Sequence, residues 1–256
     1  MLTEFTALRK MAIRVLVFFS VSSFLALVLS WGTLGAFSLR LPWPVAGGQT
    51  IPASFINDVR ENVLPEGAVL AAMSPMDAFV VNLAIAAAAG AIVTFFFALW
   101  QVWRFMRPGL YASERRGFVF IALASAFLFW SGCLFAYRVL IPAVYAALYG
   151  FTPSAVIPLY NLRETMWQVL GMLVATGVAF LLPVLMVLLS VAGVITPAHW
   201  RTYARHAIVI VLVLSAILTP DGSGISMFLL ALPICALYTL GYLVSVQVLR
   251  MNSSRV

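Results

Sequence analysis

The ionisable side chains of this 256-residue sequence are few, and their positions limit the chemistry that they can do. A membrane enzyme or an ion-coupled transporter usually carries ionisable groups in the middle of its apolar segments. Here the eight acidic residues lie at the ends of apolar segments or between them. The sequence contains no Ser/His/Asp set, no His-Glu-x-x-His motif and no phosphate-binding loop. It therefore indicates a binding or scaffold protein rather than an enzyme, and it implies no cofactor.

The two histidines and two cysteines have no spacing typical of a metal site. His199 and His206 stand seven residues apart at one end of an apolar segment, where interfacial polar residues are favoured over a proton relay. Cys133 and Cys235 lie inside apolar segments and are predicted to pack as small apolar side chains. No metal site is predicted.

The elements that must position these residues are membrane spans. Hydrophobic residues make up 64% of the chain and charged residues 9%, against about half and about a quarter in soluble domains. The apolar runs are continuous, as in helices, and do not alternate as in a barrel. We predict an all-α, multi-pass protein with one integral domain, 1–256, and no cleavable signal peptide. Its six spans are 11–34, 78–103, 117–148, 166–193, 206–219 and 224–248.

Two of the predicted spans have unusual lengths. The third continues well beyond the roughly 20 residues that cross a bilayer. The fifth is too short to cross one and should thin the membrane beside it. Between spans 1 and 2, the outer loop of residues 35–77 should hold a short helix with Ser54 as its N-cap, lying as a lid on the outer face.

Local features add two expectations. Pro183 and Pro233 are predicted to kink spans 4 and 6 into a concave face. Arg138, near the outer end of span 3, should pair with Asp77 or Glu164, because an unpaired cation there is costly.

The basic residues fix the predicted orientation. With the N-terminus inside, eleven of them fall on the inner side and three, Arg40, Arg60 and Arg163, in the outer loops. This asymmetry follows the positive-inside rule and places both termini in the cytoplasm. Topology accounts for the charge of +7, and no nucleic acid is implied.

The stretch ALWQVWRFMRPGLYASERRGFVF, residues 98–120, closely resembles the first cytoplasmic loop of TatC proteins, whose pattern is roughly YQxWxFxxPGLYxxERR. Weaker similarities follow in the family's order: LRK at 8–10, SPMDAF at 74–79, FAYRVLIP at 135–142, GVAFLLPV at 177–184 and LTPD at 218–221. The matching loop residues are Gln101, Trp103, Phe105, Pro108, Gly109, Leu110, Tyr111, Glu114, Arg115 and Arg116.

The resemblance implies six spans in a concave arrangement and a receptor for signal peptides with paired arginines. It also implies TatA-like and TatB-like single-span partners, self-association, and export of folded proteins across the cytoplasmic membrane by the protonmotive force. The implied signal-peptide-binding residues are Glu114, Glu4, Arg9, Arg115 and Arg116. The implied structural or partner-contact residues are Pro108, Gly109, Tyr111, Leu182, Pro183, Asp77 and Asp221.

The sequence departs from the family at two acidic positions. Ala7 stands where the family has a glutamate, although Glu4 is one helical turn earlier, and Leu182 replaces a glutamate in span 4. These departures indicate a divergent member. Glu114 could instead pair with its neighbouring arginines, Glu4 could belong to a disordered tail, and Arg115 and Arg116 could serve only as topology anchors.

Two other functions fit the same six spans. One is a small-solute transporter or channel, which would need polar residues along a continuous path. The other is a TatC-like paralogue that has lost signal-peptide recognition.

The charge asymmetry predicts that both termini and residues 104–116 and 195–206 face the cytoplasm. In a cysteine-free background, Ser113→Cys should resist a membrane-impermeant thiol reagent added outside, whereas Gln49→Cys in the outer loop should react. Strong labelling of position 113 from outside would refute this orientation.

Overall fold

The computed structural model describes residues 2–33, 40–43, 50–65, 67–106, 112–153, 158–191, 193–218 and 224–253. Helices dominate these ranges. The elements are α1 (Leu2–Val28), β1 (Ser30–Thr33), β2 (Arg40–Trp43), α2 (Ile51–Asn62), β3 (Val69–Ala71), α3 (Pro75–Met106), α4 (Ala112–Phe135), a π-helical turn (Ala136–Leu140), α5 (Ile141–Gly150), β4 (Leu159–Asn161), α6 (Leu162–Ala179), α7 (Leu182–Val191), α8 (Pro197–Thr202), α9 (Ala204–Leu218) and α10 (Ile225–Ser253).

The predicted spans are confirmed as apolar helices. Five segments are long and apolar enough to cross a membrane: Leu8–Val28, Pro75–Val102, Val119–Gly150, Leu162–Val191 and Ser226–Val248. A sixth apolar helix, Ala204–Ile217, is shorter, as predicted. The 15 residues of α9 extend roughly 22 Å at about 1.5 Å each, against a hydrocarbon thickness of about 30 Å.

The first predicted span was wrong at its C-terminal end. The helix ends at Val28 rather than at residue 34, and Ser30–Thr33 pairs antiparallel with Arg40–Trp43. Gly32 is a poor helix former, whereas Trp31 and Thr33 favour strands. The helix therefore ends where the apolar run ends, and the next four residues form a strand.

The predicted N-cap of the outer-loop helix was also wrong. α2 begins four residues earlier than expected, with Thr50 as its N-cap, and Thr50 Oγ1 accepts a hydrogen bond from Ala53 N at 3.4 Å. Pro52 fits in this first turn because no intrahelical bond needs its missing N–H. Ser54 lies inside the helix, where its Oγ donates to the Ile51 carbonyl oxygen at 2.8 Å.

The chain divides into two compact units, residues 1–122 with 157–170 and residues 123–156 with 171–256. We refer to them as the first unit and the second unit. The single integral domain expected from the sequence stays a prediction.

In the first unit α1 and α3 pack antiparallel. Phe18 stacks on Phe97, with 4.1 Å between ring centroids. Ser22 Oγ donates to the Gly90 carbonyl oxygen at 3.3 Å and lies 3.2 Å from Thr94 Oγ1. A Cβ on Gly90 would lie 2.8 Å from Ser23 Cα, so glycine is required for this approach. Small residues and serine hydrogen bonds commonly join helices in membranes, where no hydrophobic force drives packing.

A second contact in the first unit joins the N-termini of α3 and α6. β3 pairs in parallel with β4, with Leu70 opposite Tyr160. Asp77 is buried, its Oδ2 accepts a hydrogen bond from Ser74 N at 2.8 Å, and its Oδ1 lies 4.0 Å from Arg163. Arg138 belongs to the other compact part of the chain, so its predicted pairing with Asp77 or Glu164 stays a prediction. The strand pairing places Arg163, at the start of α6, beside the first turn of α3.

In the second unit, a π-helical turn joins α4 to α5 just before Pro142. Ile141 N donates to the Ala136 carbonyl oxygen, five residues earlier. Proline offers no N–H to the carbonyl four residues before it, and the wider turn accommodates this loss. The long third span is thereby confirmed as one helical segment ending at Gly150.

The fourth span is interrupted at Phe180 and Leu181, immediately before Pro183. Pro183 has no N–H to donate to the carbonyl of Ala179. In the interruption, Leu181 N donates to Val178 O at 3.0 Å, three residues back rather than the four of an α-helix. The helix is thus irregular just before Pro183, whereas the concave face expected from Pro183 and Pro233 stays a prediction. Pro233 lies inside α10, which continues through it as helix.

The α1–α3 contact predicts opposite effects for two Gly→Ala substitutions. Gly90→Ala should destabilise the protein by about 1–3 kcal/mol, because its Cβ meets the backbone of Ser23. Gly171→Ala is the matched control, since a Cβ there meets nothing within 4 Å, and it should gain up to about 1 kcal/mol of helix propensity. Thermal unfolding in detergent, followed by a thiol-reactive dye on the free cysteines, would compare them. Equal shifts for both variants would contradict the packing argument.

Candidate functional site

Glu114, Arg115 and Arg116, the central residues of the predicted binding site, belong to the first turns of α4. Glu114 is the third residue of this helix. An acidic residue in a first turn is favoured by the partial positive charge of a helix N-terminus. These three residues therefore belong to the beginning of the helix that forms span 3, and their role in binding stays a prediction.

Glu4 and Arg9 lie on α1. Glu4 is the third residue of a continuous helix, and its role in signal-peptide binding stays a prediction. Arg9 and Lys10 are exposed. The helix continues from Glu4 into the apolar part of span 1 and gives Glu4 a fixed height relative to the span.

The antiparallel contact of α1 with α3 determines where Glu4 lies. Measured from the Phe18–Phe97 stack, Glu4 is about 21 Å along α1 and Met106 about 14 Å along α3, at about 1.5 Å per residue. Both displacements point toward the same end of the first unit. The chain leaves α3 there and enters α4 after five intervening residues, within the same unit. The fold therefore brings the two predicted carboxylate carriers, Glu4 and Glu114, to one end.

The last turns of α3 contribute aromatic and basic groups at this end. The guanidinium carbon of Arg104 lies 6.0 Å from the centroid of the half-exposed Trp100 ring. Trp100 also contacts Phe97, and Gln101, one of the residues matching the family loop, is buried. Sequence reasoning missed the Trp100–Arg104 pair, although the spacing of four on a helix predicts such a contact.

Several predicted residues do not join this site. Asp77 caps α3 and pairs with Arg163, so its geometry is structural. In the second unit Pro183 is buried and Leu182 half-buried. A Cβ on Gly241 of α10 would lie 2.9 Å from Pro183 Cα. Pro108, Gly109, Tyr111 and Asp221 lie outside the described residues.

A polar contact set in the second unit was not predicted. Trp200 Nε1 donates to Ser190 Oγ at 2.9 Å, and Tyr238 OH donates to the Trp200 carbonyl oxygen at 2.6 Å. These bonds attach α8 to the end of α7 and to α10. The sequence did contain one indication of this contact. Trp200 and Tyr238 are aromatic residues near a predicted membrane interface, where the polar atoms of such side chains usually form hydrogen bonds.

The described residues include no group of three or more His, Cys, Asp or Glu side chains that could hold a metal ion. The helix positions of Glu4 and Glu114 are the predicted carboxylate positions of the first unit. Carboxylates can accept charge-assisted hydrogen bonds from a cationic ligand.

Comparison with known proteins shows the family to which the chain belongs. The family model described as "Sec-independent protein translocase protein (TatC)" matches residues 4–233. The TatC protein of Deinococcus radiodurans is 36% identical over 157 residues, which are 61% of this chain and 58% of that protein. The Aquifex aeolicus TatC protein is 36% identical over 171 residues, 66% of this chain and 70% of that protein. The match thus spans little more than half the length of the first of these relatives.

A crystal structure described as "Twin Arginine Translocase Receptor- TatC" superposes with a TM-score of 0.74 and 28% identity, covering 94% of this chain and 97% of that one. The chain therefore resembles TatC proteins in its fold as well as in its loop motif. The chain is therefore a multi-pass membrane protein that belongs to the TatC family of Sec-independent protein translocase proteins.

Proposed function

We propose that this protein is the receptor and core subunit of a twin-arginine translocase in the cytoplasmic membrane. It binds signal peptides with paired arginines and, without catalysing a covalent reaction, organises the export of folded proteins by the protonmotive force. The observation that carries the proposal is the placement of Glu4 and Glu114 at one end of the first unit. The name of the matching crystal structure, a twin-arginine translocase receptor, supports the same assignment.

The chemistry of the ligand explains why two carboxylates are needed. A guanidinium group donates hydrogen bonds in a planar fork that matches a carboxylate, and two adjacent guanidinium groups need two acceptors. Glu4 and Glu114 are the only acids on the predicted inner side. In this proposal, Arg9, Arg115 and Arg116 belong to the same signal-peptide-binding site.

The proposed partners are TatA-like and TatB-like single-span proteins and further copies of this chain. The short helix α9 supports such partners because its large apolar side chains are exposed. A partner span lying beside so short a helix would experience a thinned bilayer. The exposed side chains are Ile208, Val209, Ile210, Val213, Leu214 and Ile217.

Glu114→Gln should weaken binding of a twin-arginine signal peptide, because it keeps the shape of the side chain and removes its charge. The loss of a charge-assisted bond predicts about 1–2 kcal/mol, or roughly five- to thirtyfold in affinity. Glu4→Gln should have a smaller effect, and the double variant should exceed either. Equilibrium binding of the peptide to purified membranes measures these changes.

The matched control is Glu164→Gln. Glu164 is likewise the third residue of a span helix, α6, but at the opposite, predicted outer end. This variant should bind like wild type, and a peptide with paired glutamines should not distinguish any of the variants. Wild-type affinity and an intact arginine preference in Glu114→Gln would exclude Glu114 as the arginine ligand.

The departure at span 4 generates a separate prediction. Leu182→Glu should be tolerated, because family members hold an acid at this position and a polar partner should lie within reach in the assembled complex. Thr176 is one candidate, since it is fully buried and its Oγ1 has no hydrogen-bond partner among the described residues. Leu185→Glu, on the same helix but 56% exposed, should cost on the order of 2–3 kcal/mol.

The size of the detergent-stable complex and the yield of folded protein measure both variants. If Leu182→Glu abolished folded protein while Leu185→Glu did not, the site would be fully apolar in this chain, and partner contact would differ from that in its relatives.

A further inference from the structure

The turn between spans 4 and 5 is basic and lacks a counter-charge. Within eight residues it holds His199, Arg201, Arg205 and His206, and all four side chains are exposed. The second unit contains a single acidic residue in its whole sequence, Asp221, on the predicted outer side. Neither arginine forms an ion pair among the described residues. This end of the second unit therefore presents a positive charge that the unit itself does not neutralise.

Two adjoining cavities open beside this turn, and they share Trp200, Ala207 and Tyr238 as walls. The first has a volume of about 150 Å³ and lies between α9 and α10. The second, of about 370 Å³, lies against α8 and the first turns of α9. Arg201 and Tyr242 line the first cavity beside Ile208 and Val211, and His199, Tyr203 and His206 line the second beside Val194, Ile195 and Ile210.

The shared walls are held in place by hydrogen bonds. Trp200 donates to Ser190 and accepts from Tyr238 through its carbonyl, and the two rings meet edge to face with 6.4 Å between centroids. His199 Nδ1 lies 2.7 Å from Thr196 Oγ1. The cavities are therefore formed before any ligand enters, which lowers the entropic cost of binding.

The chemistry of the walls defines the ligand. The cavity interiors are apolar and require an apolar occupant, whereas the arginines and histidines beside them favour an anion. Tryptophan and tyrosine at the beginning of a span are typical of the depth at which lipid headgroups lie. Basic pockets between spans on the cytoplasmic side bind acidic headgroups.

We infer that this is a binding site for an anionic glycerophospholipid of the inner leaflet. Its phosphate contacts Arg201 and Arg205, and its acyl chains enter the two cavities beside Trp200. A free phosphate would leave the apolar walls uncovered, and a zwitterionic lipid would leave the two arginines without a net counter-charge. The site shares no residue with the signal-peptide site proposed for the first unit and does not depend on it.

Lipid retention in nanodiscs tests the inference. Full-length protein is incorporated with equal amounts of phosphatidylglycerol and phosphatidylcholine of identical acyl chains and extracted into mild detergent, and the retained lipids are counted by native mass spectrometry. Wild type should retain phosphatidylglycerol preferentially. Arg201→Gln with Arg205→Gln should lower that preference about tenfold or more, as expected for the loss of charge-assisted bonds.

The matched control is Arg14→Gln with Arg104→Gln. It also removes two exposed arginines from the predicted inner side, but from outside the cavities, and should keep the wild-type preference. An equal loss in both double variants would overturn the inference, because the preference would then reflect general attraction to the charged face. An unchanged preference in the Arg201/Arg205 variant would also overturn it.

A variant that fills the cavities separates a lipid site from surface charge alone. Ala207→Phe occupies the shared wall and should reduce phosphatidylglycerol retention although every charge is kept. Thr239→Trp, placed at the exposed rim of the first cavity, gives the same test if Ala207→Phe does not fold. Full retention in a folded filling variant would overturn the inference.

Discussion

Hydrocarbon offers no hydrogen bonds to a polypeptide backbone, and the architecture of this chain follows from that constraint. Each apolar segment is helical because a helix satisfies its own N–H and C=O groups. Where a proline removes a donor, the chain compensates locally. Before Pro142 it widens into a π turn, and before Pro183 the chain leaves the helix for two residues.

The same scarcity of polar partners explains which contacts hold the first unit together. Helices in lipid gain no hydrophobic energy from meeting one another, so close packing and polar pairs decide their arrangement. α1 and α3 meet through Gly90 and the hydroxyl of Ser22, and α3 and α6 meet through Asp77 and Arg163. The antiparallel direction of the first contact brings Glu4 to the end at which α4 begins.

Periodicity and composition were enough to predict the spans, including the short α9, because a run of apolar residues has one outcome in a bilayer. They failed where two local preferences competed. Residues 30–33, Ser-Trp-Gly-Thr, were included in the first span but form a strand, and Thr50 rather than Ser54 is the N-cap of α2. The Asp77–Arg163 ion pair could not be predicted from the sequence, because it depends on the pairing of β3 with β4, a strand that is distant in sequence.

For the candidate site, the sequence predicted the residues through family resemblance, and the fold supplied their common location. The charge asymmetry predicted that Glu4 and Glu114 share the inner side. The packing of α1 on α3 adds that both helix positions lie at one end of the first unit. The cavities beside Trp200 could not be predicted from the sequence either, because they arise from the contacts of α8 with α7 and α10.

The parallel pairing of β3 with β4 constrains the order in which the chain is assembled. α1 and α3 can pack as soon as both are inserted, because the segments are neighbours in sequence. The pairing of Val69–Ala71 with Leu159–Asn161 must wait until the third span has been synthesised and has crossed the membrane. Until then, Asp77 has its bond from Ser74 N but lacks its cation. The first unit is therefore completed only when the fourth span arrives, and a chain truncated before Arg163 would keep its first helix pair but not the junction between α3 and α6.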